Sequence, residues 1–404
     1  MLIKIAWRNI WRNKRRTIIV LVSIVIGIAA TIFMDGLSNG SLIQMLNNQI
    51  NLNTSHIQIH KAGFLDDKIV QNYISNYKGA EKIIKKEKQI KGYSKRVISF
   101  GLISSATNSS GIFLNGIFPD DEKKVTIIHQ CIIKGENLSG KLGEIIIGNE
   151  LAKKLNVDVG DKIVTMVNSF QGDINSNAFR IVGIFQTPNS NFDNSTVFTN
   201  LKEAQEILEI GDNIHEIAIL LDDSKNTNEI KQKIRANLSN DSEVLTFEEL
   251  IPLLLMQIDM YKQFSWVISS FVAIALIFGI INIMLMAVYE RVKEFGILIS
   301  IGMSSKKIFS MLITESLSVG IIGTLVGVIA GLLILLPFSI YGIDLSIFAE
   351  GLQSWGIGTK IYPIPTLENT IFLLFIIPFV CILGAIYPAI KVIKLQPVNA
   401  LKFV

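Results

Sequence analysis

Four apolar stretches, residues 17–35, 263–289, 309–337 and 368–390, stand out from an otherwise mixed sequence. Each has the roughly 20 helical residues needed to cross a hydrocarbon core about 30 Å thick. Residues 36–262, between the first two, follow a different rhythm. "SHIQIH" and "IHEIAILL" alternate as half-buried strands do, while "AEKIIKKEKQI" and "NEIKQKIRANL" place apolar residues at helical spacing. From "SFGLISSATNSSGIFLNGIF" to "FRIVGIF" the pattern is short strands broken by Gly and Asn turns. "GEIIIGNELAKKLNVDVGDKIVTMV" predicts a strand, a helix capped by Asn149, a turn at Gly160-Asp161 and a second strand. The expected fold is an α-helical integral membrane protein with four transmembrane helices. To it is added a large extracytoplasmic α+β domain of two lobes, one β-rich and inserted into one of βαβ type. Helical spacing continues at Leu42, Met45, Leu46 and Gln49 and through "PLLLMQIDMYKQF", which predicts helical stalks flanking the first two spans.

Charge orients the chain. Residues 1–16 hold Lys4, Arg8, Arg12, Lys14, Arg15 and Arg16 without an acid, which places the N-terminus in the cytoplasm. The 290–308 loop, with Arg291, Lys293, Lys306 and Lys307, and the 391–404 tail, with Lys391, Lys394 and Lys402, belong on the same side. The 338–367 loop has Lys360 beside Asp344 and Glu350 and belongs outside with 36–262. Ile3, Ala6, Trp7, Ile10 and Trp11 line one side of a helix whose other side carries Lys4, Arg8 and Arg12. Residues 1–16 are therefore expected to lie along the membrane surface, with Trp7, Arg8, Trp11 and Arg12 in contact with lipid headgroups. The first span has no small-residue cleavage site and reads as an uncleaved anchor.

Composition agrees: of 404 residues, 50% are hydrophobic and 18% charged, against about a quarter charged in soluble domains. A net charge of +4, with no basic stripe interleaved with aromatics, excludes nucleic acid as a partner. Cys131 and Cys381 fall in different regions and are not expected to pair.

Candidate chemistry is sparse. Gly135 to Leu142, "GENLSGKL", is a P-loop pattern except that Leu142 replaces the Mg²⁺-binding hydroxyl and Gly143 follows where a helix should begin, so it reads as a turn. His56 and His60, four apart on a strand, are too far separated to chelate, and His129 with Cys131 stands alone. No nucleophile set and no metal site emerges, so the chain is expected to be non-catalytic. Gly323, Gly327 and Gly331, with Gly320, form a small-residue surface for close helix packing, within one subunit or between two. Glu315 lies shallowly in the third span, where Lys306 or Lys307 could pair with it. Pro378 predicts a kink and Pro388 a helix stop. Without a continuous charge stripe in the membrane an ion pump is disfavoured, and four spans suggest work as a dimer.

Between the second and third spans "YERVKEFGILISIG" brings charge and glycine together. It resembles the cytoplasmic loop of FtsX-like/MacB-type ABC transporter permeases, through Glu290, Arg291, Glu294, Gly296 and Gly302. The tail matches through Pro388, Ala389, Pro397, Ala400 and Leu401, and "AWRNIWRNKRRT" resembles the family's start. The resemblance implies a separate cytoplasmic ABC ATPase, itself the binder of ATP and Mg²⁺, docked on this loop and moving the outer domain through the stalks. It implies a second permease subunit, in a homo- or heterodimer, in the bacterial inner membrane with the large domain in the periplasm. The family often has a basic residue and Ala where Ile299 and Ser300 stand, so a charge contact to the ATPase is either missing or supplied by Lys293. Within the family the chain is most similar to the lipoprotein-releasing (LolC/LolE type) branch. That implies a lipoprotein substrate drawn from the inner membrane and possibly a periplasmic carrier. The alternatives are efflux of a drug, peptide or lipid, and a regulatory subunit controlling a cell-wall hydrolase.

Overall fold

The computed structural model describes residues 8, 11, 12, 14–74, 77–238 and 241–393; Trp7 and the tail beyond 393, with Pro397, Ala400 and Leu401, lie outside this set. The chain divides into two compact units.

The first unit takes the described residues up to Leu42, with Gln257–Asp344 and those from Lys360 onward. Its helices are α1 (Lys14–Gln49), α2 (Pro252–Glu290), α3 (Val292–Ser300), α4 (Ser305–Tyr341) and α5 (Leu367–Ile393). All but α3 are long and apolar enough to cross a membrane, and α1 and α2 remain helical beyond their apolar stretches. The glycine surface of α4 is used inside the unit. A methyl group added at Gly323 would lie 2.9 Å from Ile24, at Gly327 3.0 Å from Ile28, and at Gly331 3.1 Å from Ala29 and Ile32. Those positions let α1 press directly on the α4 backbone, and dispersion over that contact replaces the hydrophobic drive that lipid removes. Gly320 does the same for α5, against Cys381. The stop expected at Pro388 does not occur, because α5 runs on to Ile393. Pro388 costs one backbone bond, but the turn around it stays packed: Ala389 and Val392 are buried against Phe295, Ile308 and Met311.

The second unit comprises Ile43–Met256 and Leu345–Thr359. Its strands are β1 (Ile57–Lys61), β2 (Ile90–Ser104), β3 (Ser109–Ile117), β4 (Ile132–Gly135), β5 (Glu144–Gly148), β6 (Lys162–Asn168), β7 (Ile174–Phe185), β8 (Thr196–Asn200), β9 (Glu216–Leu221) and β10 (Ser242–Thr246). Spatial order β10-β1-β9-β2, with every neighbouring pair antiparallel, makes β1 parallel to β2 and β9 parallel to β10. Helices Tyr77–Ile84 and Thr227–Arg235 supply the two crossovers. This is a ferredoxin-like split βαβ arrangement, interrupted between β2 and β9 by everything from β3 to β8. Ile57 and Ile59 of β1 meet Ala80, Ile84, Ile230 and Ile234 of those helices in the core, as the alternation in "SHIQIH" requires.

The inserted lobe closes on itself. β2 pairs β3, β3 pairs β8, β8 pairs β5, β5 pairs β7, β7 pairs β6, and β6 returns to β2. Ile103, Ile112, Leu114, Ile145, Ile147, Ile163, Phe179, Ile181 and Val197 fill this small barrel and are at most 2% exposed. The long β2 joins the lobes, since its residues 90–96 pair with β9 and 96–104 with β3.

The helix Asn149–Leu155 begins one residue earlier than expected: Gly148 is its N-cap and Asn149 makes no cap bond. A side chain at 148 would collide with the Asp193 backbone, 2.0 Å away. Asp193 is itself buried, receiving the Thr187 N–H at 2.9 Å and Oγ1–H at 2.7 Å. Burial outweighs those bonds and pushes its carboxyl up to about 7. A raised carboxyl adds stability at low pH that is lost as the pH climbs from its ordinary value, 3.8, to about 7. Compared with Asp193→Asn, the wild-type chain should therefore lose stability across that window and no more above it. Thermal unfolding of both at pH 4.5, 6 and 8 tests this, and parallel curves would refute it.

Candidate functional site

The connection from α2 to α4 is one short helix, α3, seated by Phe295. That ring is fully buried among Val288, Ile308, Met311, Leu312, Ala389 and Val392, from α2, α4 and α5. The loop is thus fixed to the membrane helices by its apolar side. At its end Ile301 caps the helix and Gly302 adopts φ +96°, the left-handed geometry that closes helices and that a side chain resists. Met303 N–H then bonds the Leu298 carbonyl at 3.0 Å.

The charges of the loop form a chain of pairs. Arg291, 8% exposed, donates from Nη1 to both Glu315 oxygens at 3.3 Å and from Nε to Glu294 at 3.1 Å. Its guanidinium lies 5.2 Å from the Phe295 ring. Glu294 also receives Arg12 Nη2 at 2.6 and 2.8 Å. Burial opposes the charge on Glu294, but the Arg12 and Arg291 guanidiniums outweigh it and hold the carboxyl below its ordinary range. Glu315 in α4 accordingly pairs with Arg291, where the sequence suggested Lys306 or Lys307. A guanidinium is planar and spreads its N–H groups over separate nitrogens, so it can cover a ring while Nε and Nη1 reach two carboxylates, whereas a lysine has a single nitrogen.

Of the residues singled out in the sequence, the structure brings Arg12, Arg291 and Glu294 together, with Gly296 buried behind them. Glu290, Lys293 and Gly302 lie at the surface, as do Arg8 and Trp11. Sequence reasoning missed two positions: Ile297 and Ile301 are 49% and 78% exposed. With Lys293 they recur every fourth residue, making an apolar stripe with a basic end on the face of α3 opposite Phe295. That four-residue spacing is the signal the sequence carries. Asp35 was also missed. It is buried in α1, accepts Ser265 Oγ–H from α2 and Thr366 N–H at the start of α5, each at 3.0 Å, and so ties three helices together.

In the outer domain the polar residues of β1, β2 and β9 form a buried ion cluster. Arg96 forks onto Glu122 at 2.7 and 3.2 Å, reaches Glu216 at 2.7 Å, and bonds the Asn53 carbonyl at 2.7 Å. Glu216 also meets His60 Nε2 at 3.0 Å. Burial works against Glu216, but Arg96 and His60 outweigh it and keep its carboxyl below the ordinary range. The histidines serve structure. Phe64 stacks between His60 and His215, and His56 and His215 accept backbone N–H bonds from Leu221 and Ile98. Burial lowers the basicity of both. Among the described residues no group of three or more His, Cys, Asp or Glu is placed to hold a metal. In the P-loop-like turn Glu144 takes the Ser139 N–H and Oγ–H and Glu203 takes the Gly143 N–H. Carboxylates therefore occupy amides that a phosphate would need.

Two sequence profiles match the chain: a MacB-like periplasmic core domain at residues 17–237 and an FtsX-like permease C-terminal region at 266–397. Among curated proteins it is similar to the lipoprotein-releasing system transmembrane protein LolC of Neisseria meningitidis serogroup B. The two are 22% identical, over 96% of this chain and 94% of the relative. The LolE protein of that system in Haemophilus influenzae is 23% identical over 98% of both chains. The macrolide export ATP-binding/permease protein MacB of Acinetobacter baylyi is 23% identical over 79% of this chain and 49% of the relative.

Proposed function

Since the chain belongs to the family built on a MacB-like periplasmic core domain and an FtsX-like permease region, we propose that it carries force from a cytoplasmic ATPase to its outer domain and so releases lipoproteins from the inner membrane. It is an ABC transporter permease subunit; the ATPase, with its ATP and Mg²⁺, belongs to a partner, and a second permease subunit completes the complex. The observation that supports this reading is the surface of α3. Lys293, Ile297 and Ile301 present an apolar and basic stripe toward a partner, while Phe295 and Arg291 fasten the back of the same helix to α2, α4 and α5. A push on the stripe is thereby delivered to the membrane helices instead of being absorbed by a loose loop. Lipoprotein release is favoured over drug export because the two lipoprotein-releasing relatives align over nearly their whole lengths, and the macrolide exporter over half of its own.

Burying Ile297 and Ile301 against a partner removes two exposed isoleucines from water, worth about 1.5–3 kcal/mol each if complete. Ile301→Asp should reduce recovery of an ATPase in mild-detergent purification by tenfold or more, with the permease itself still extracted and folded. Unchanged recovery rules out this face. For the substrate, depletion of the protein should leave lipoproteins accumulated in the inner membrane. Normal lipoprotein sorting with altered drug sensitivity would instead select the export reading.

A further inference from the structure

The segment that leads into α5, Tyr362-Pro363-Ile364-Pro365-Thr366, lies along the outer end of α1. Its two prolines carry no N–H, so between Tyr362 and Leu367 the backbone donors are those of Ile364 and Thr366. Both are engaged by α1: Ile364 N–H donates to the Gly36 carbonyl at 2.8 Å and Thr366 N–H to Asp35 at 3.0 Å. Asn39 of α1 donates in return to the Ile364 carbonyl at 2.9 Å, and Ser339 of α4 donates to the Pro363 carbonyl at 2.7 Å. Gly40 makes room for the segment, because a methyl group there would overlap the Tyr362 carbonyl and lie 3.0 Å from Pro363 Cα. Residues 35, 36, 39 and 40 fall on one side of a helix, so α1 offers a single seat to this strap.

The seat differs in kind from the other contacts of α1. The cluster around Phe295 is built from α2, α3, α4 and α5 and includes, among the described residues, none of α1. Within the span, Ile24, Ile28 and Ile32 of α1 rest on the glycine surface of α4. Dispersion holds that contact, and it resists separation without fixing a bond direction along the helix axis. The pair between Arg12, ahead of α1, and Glu294 is about half exposed on both sides and correspondingly weak. The strap adds directed bonds beside the apolar spans, where an unpaired peptide group is costly and opening is therefore disfavoured.

We infer that the strap is the point at which movement of α4 and α5 is passed to α1, with Asp35, Asn39 and Gly40 as its positioning residues. The inference rests on the force-transfer reading above and adds the route. Force enters at α3, moves α4 and α5, crosses the strap to Asp35 and Asn39, and leaves along α1, which stays helical to Gln49. It holds whichever cargo the transporter releases.

Amide hydrogen exchange on the full chain in nanodiscs reads the strap directly, with fragmentation that resolves Ile364 and Thr366. Both amides should exchange about tenfold more slowly in the wild-type chain than in Gly40→Ala, the equivalent of roughly one buried hydrogen bond. Alanine is the better helix former, so helix propensity alone predicts no such loss. Gly27→Ala is the control, since a methyl group there meets Val272 and Leu276 at ordinary distances of 3.8 and 3.9 Å. The complex with its ATPase supplies the second readout, the change in exchange across the outer domain on adding nucleotide, which needs no cargo. That response should persist in Gly27→Ala and be lost in Gly40→Ala at equal ATPase recovery and equal unfolding midpoint. Asn39→Leu, which removes one bond without a clash, should move both readouts the same way and decides the matter if Gly40→Ala does not fold. Rapid exchange of both amides in the wild-type chain, or unchanged protection in Gly40→Ala, overturns the inference. So does a full outer-domain response in a variant whose strap is open, and each of these leaves force transfer itself standing. An outer domain that does not respond to nucleotide in the wild-type complex overturns the force-transfer reading and this inference with it.

Discussion

Arg96→Met is expected to destabilise the outer domain by about 3–5 kcal/mol, the cost of leaving buried carboxylates without their cation. Arg96 is 3% exposed, as is Glu122, and Glu216 is 4% exposed, so water cannot replace the guanidinium. The position concentrates the effect. Arg96 lies where β2 passes from β9 to β3, and it holds Glu122 beyond β3, Glu216 on β9 and the Asn53 carbonyl before β1. Losing it loosens the joint between the lobes as well as one pair. Adding Glu122→Gln should recover part of the loss, because it removes one of the stranded charges, and the two changes should be strongly non-additive. Urea or thermal unfolding of the four chains measures this. A loss under about 1 kcal/mol would mean that water reaches the cluster, since exposed pairs contribute no more than that.

Arg291→Met is the second large effect, and it should reach function. Glu315 would lose both of its bonds from Arg291 in the buried part of α4, and Glu294 would keep Arg12 alone. The Arg291–Glu315 pair is nearly buried, while Glu294 is 45% exposed. Most of the cost thus falls at Glu315, and it should exceed the roughly 1 kcal/mol that an exposed pair contributes. With α3 no longer held to α4 through this contact, the stripe at Lys293, Ile297 and Ile301 should move without carrying the helices. The expected result is an ATPase that still co-purifies but whose hydrolysis no longer drives release. Arg291→Lys should resemble Arg291→Met in release, because a single ammonium nitrogen does not reproduce the separate Nε and Nη1 bonds to Glu294 and Glu315. Adding Glu315→Gln to Arg291→Met should restore thermal stability but not coupling. Wild-type release rates in Arg291→Met would remove the network from the mechanism. The Glu294 carboxyl should rise toward its ordinary range in the same variant, which NMR of the labelled side chain can read.

Much of this architecture is visible in one dimension, because it depends on local periodicity. The four apolar helices follow from their runs of residues, the strands around Ile57 and Ile217 from alternation, and the helices at Ala80 and Ile230 from a 3.6-residue repeat. Glycine at 323, 327 and 331 announced close packing, though the identity of the partner helix, α1, came only with the fold. Proline was less dependable: Pro388 sits inside α5, where packing of Ala389 and Val392 outweighs one missing hydrogen bond. At the coupling loop, the residue types were legible and their partners were not. Glu294 and Arg291 read as charges facing another protein; both also pair within the chain, and the apolar face at Ile297 and Ile301 is the one we propose for a partner.

The division has a physical origin. Spans, strand and helix periods, and the sidedness set by lysines and arginines are properties of neighbours along the chain, which is why they could be read before any coordinates. Closure of the barrel from β6 back to β2, the meeting of Arg96 with Glu122 and Glu216, and the choice of Arg291 over two nearby lysines for Glu315 join residues between 24 and 120 positions apart. Such pairings are selected by which buried charges and strand edges can satisfy one another once the chain is compact, and nothing local marks the partner in advance.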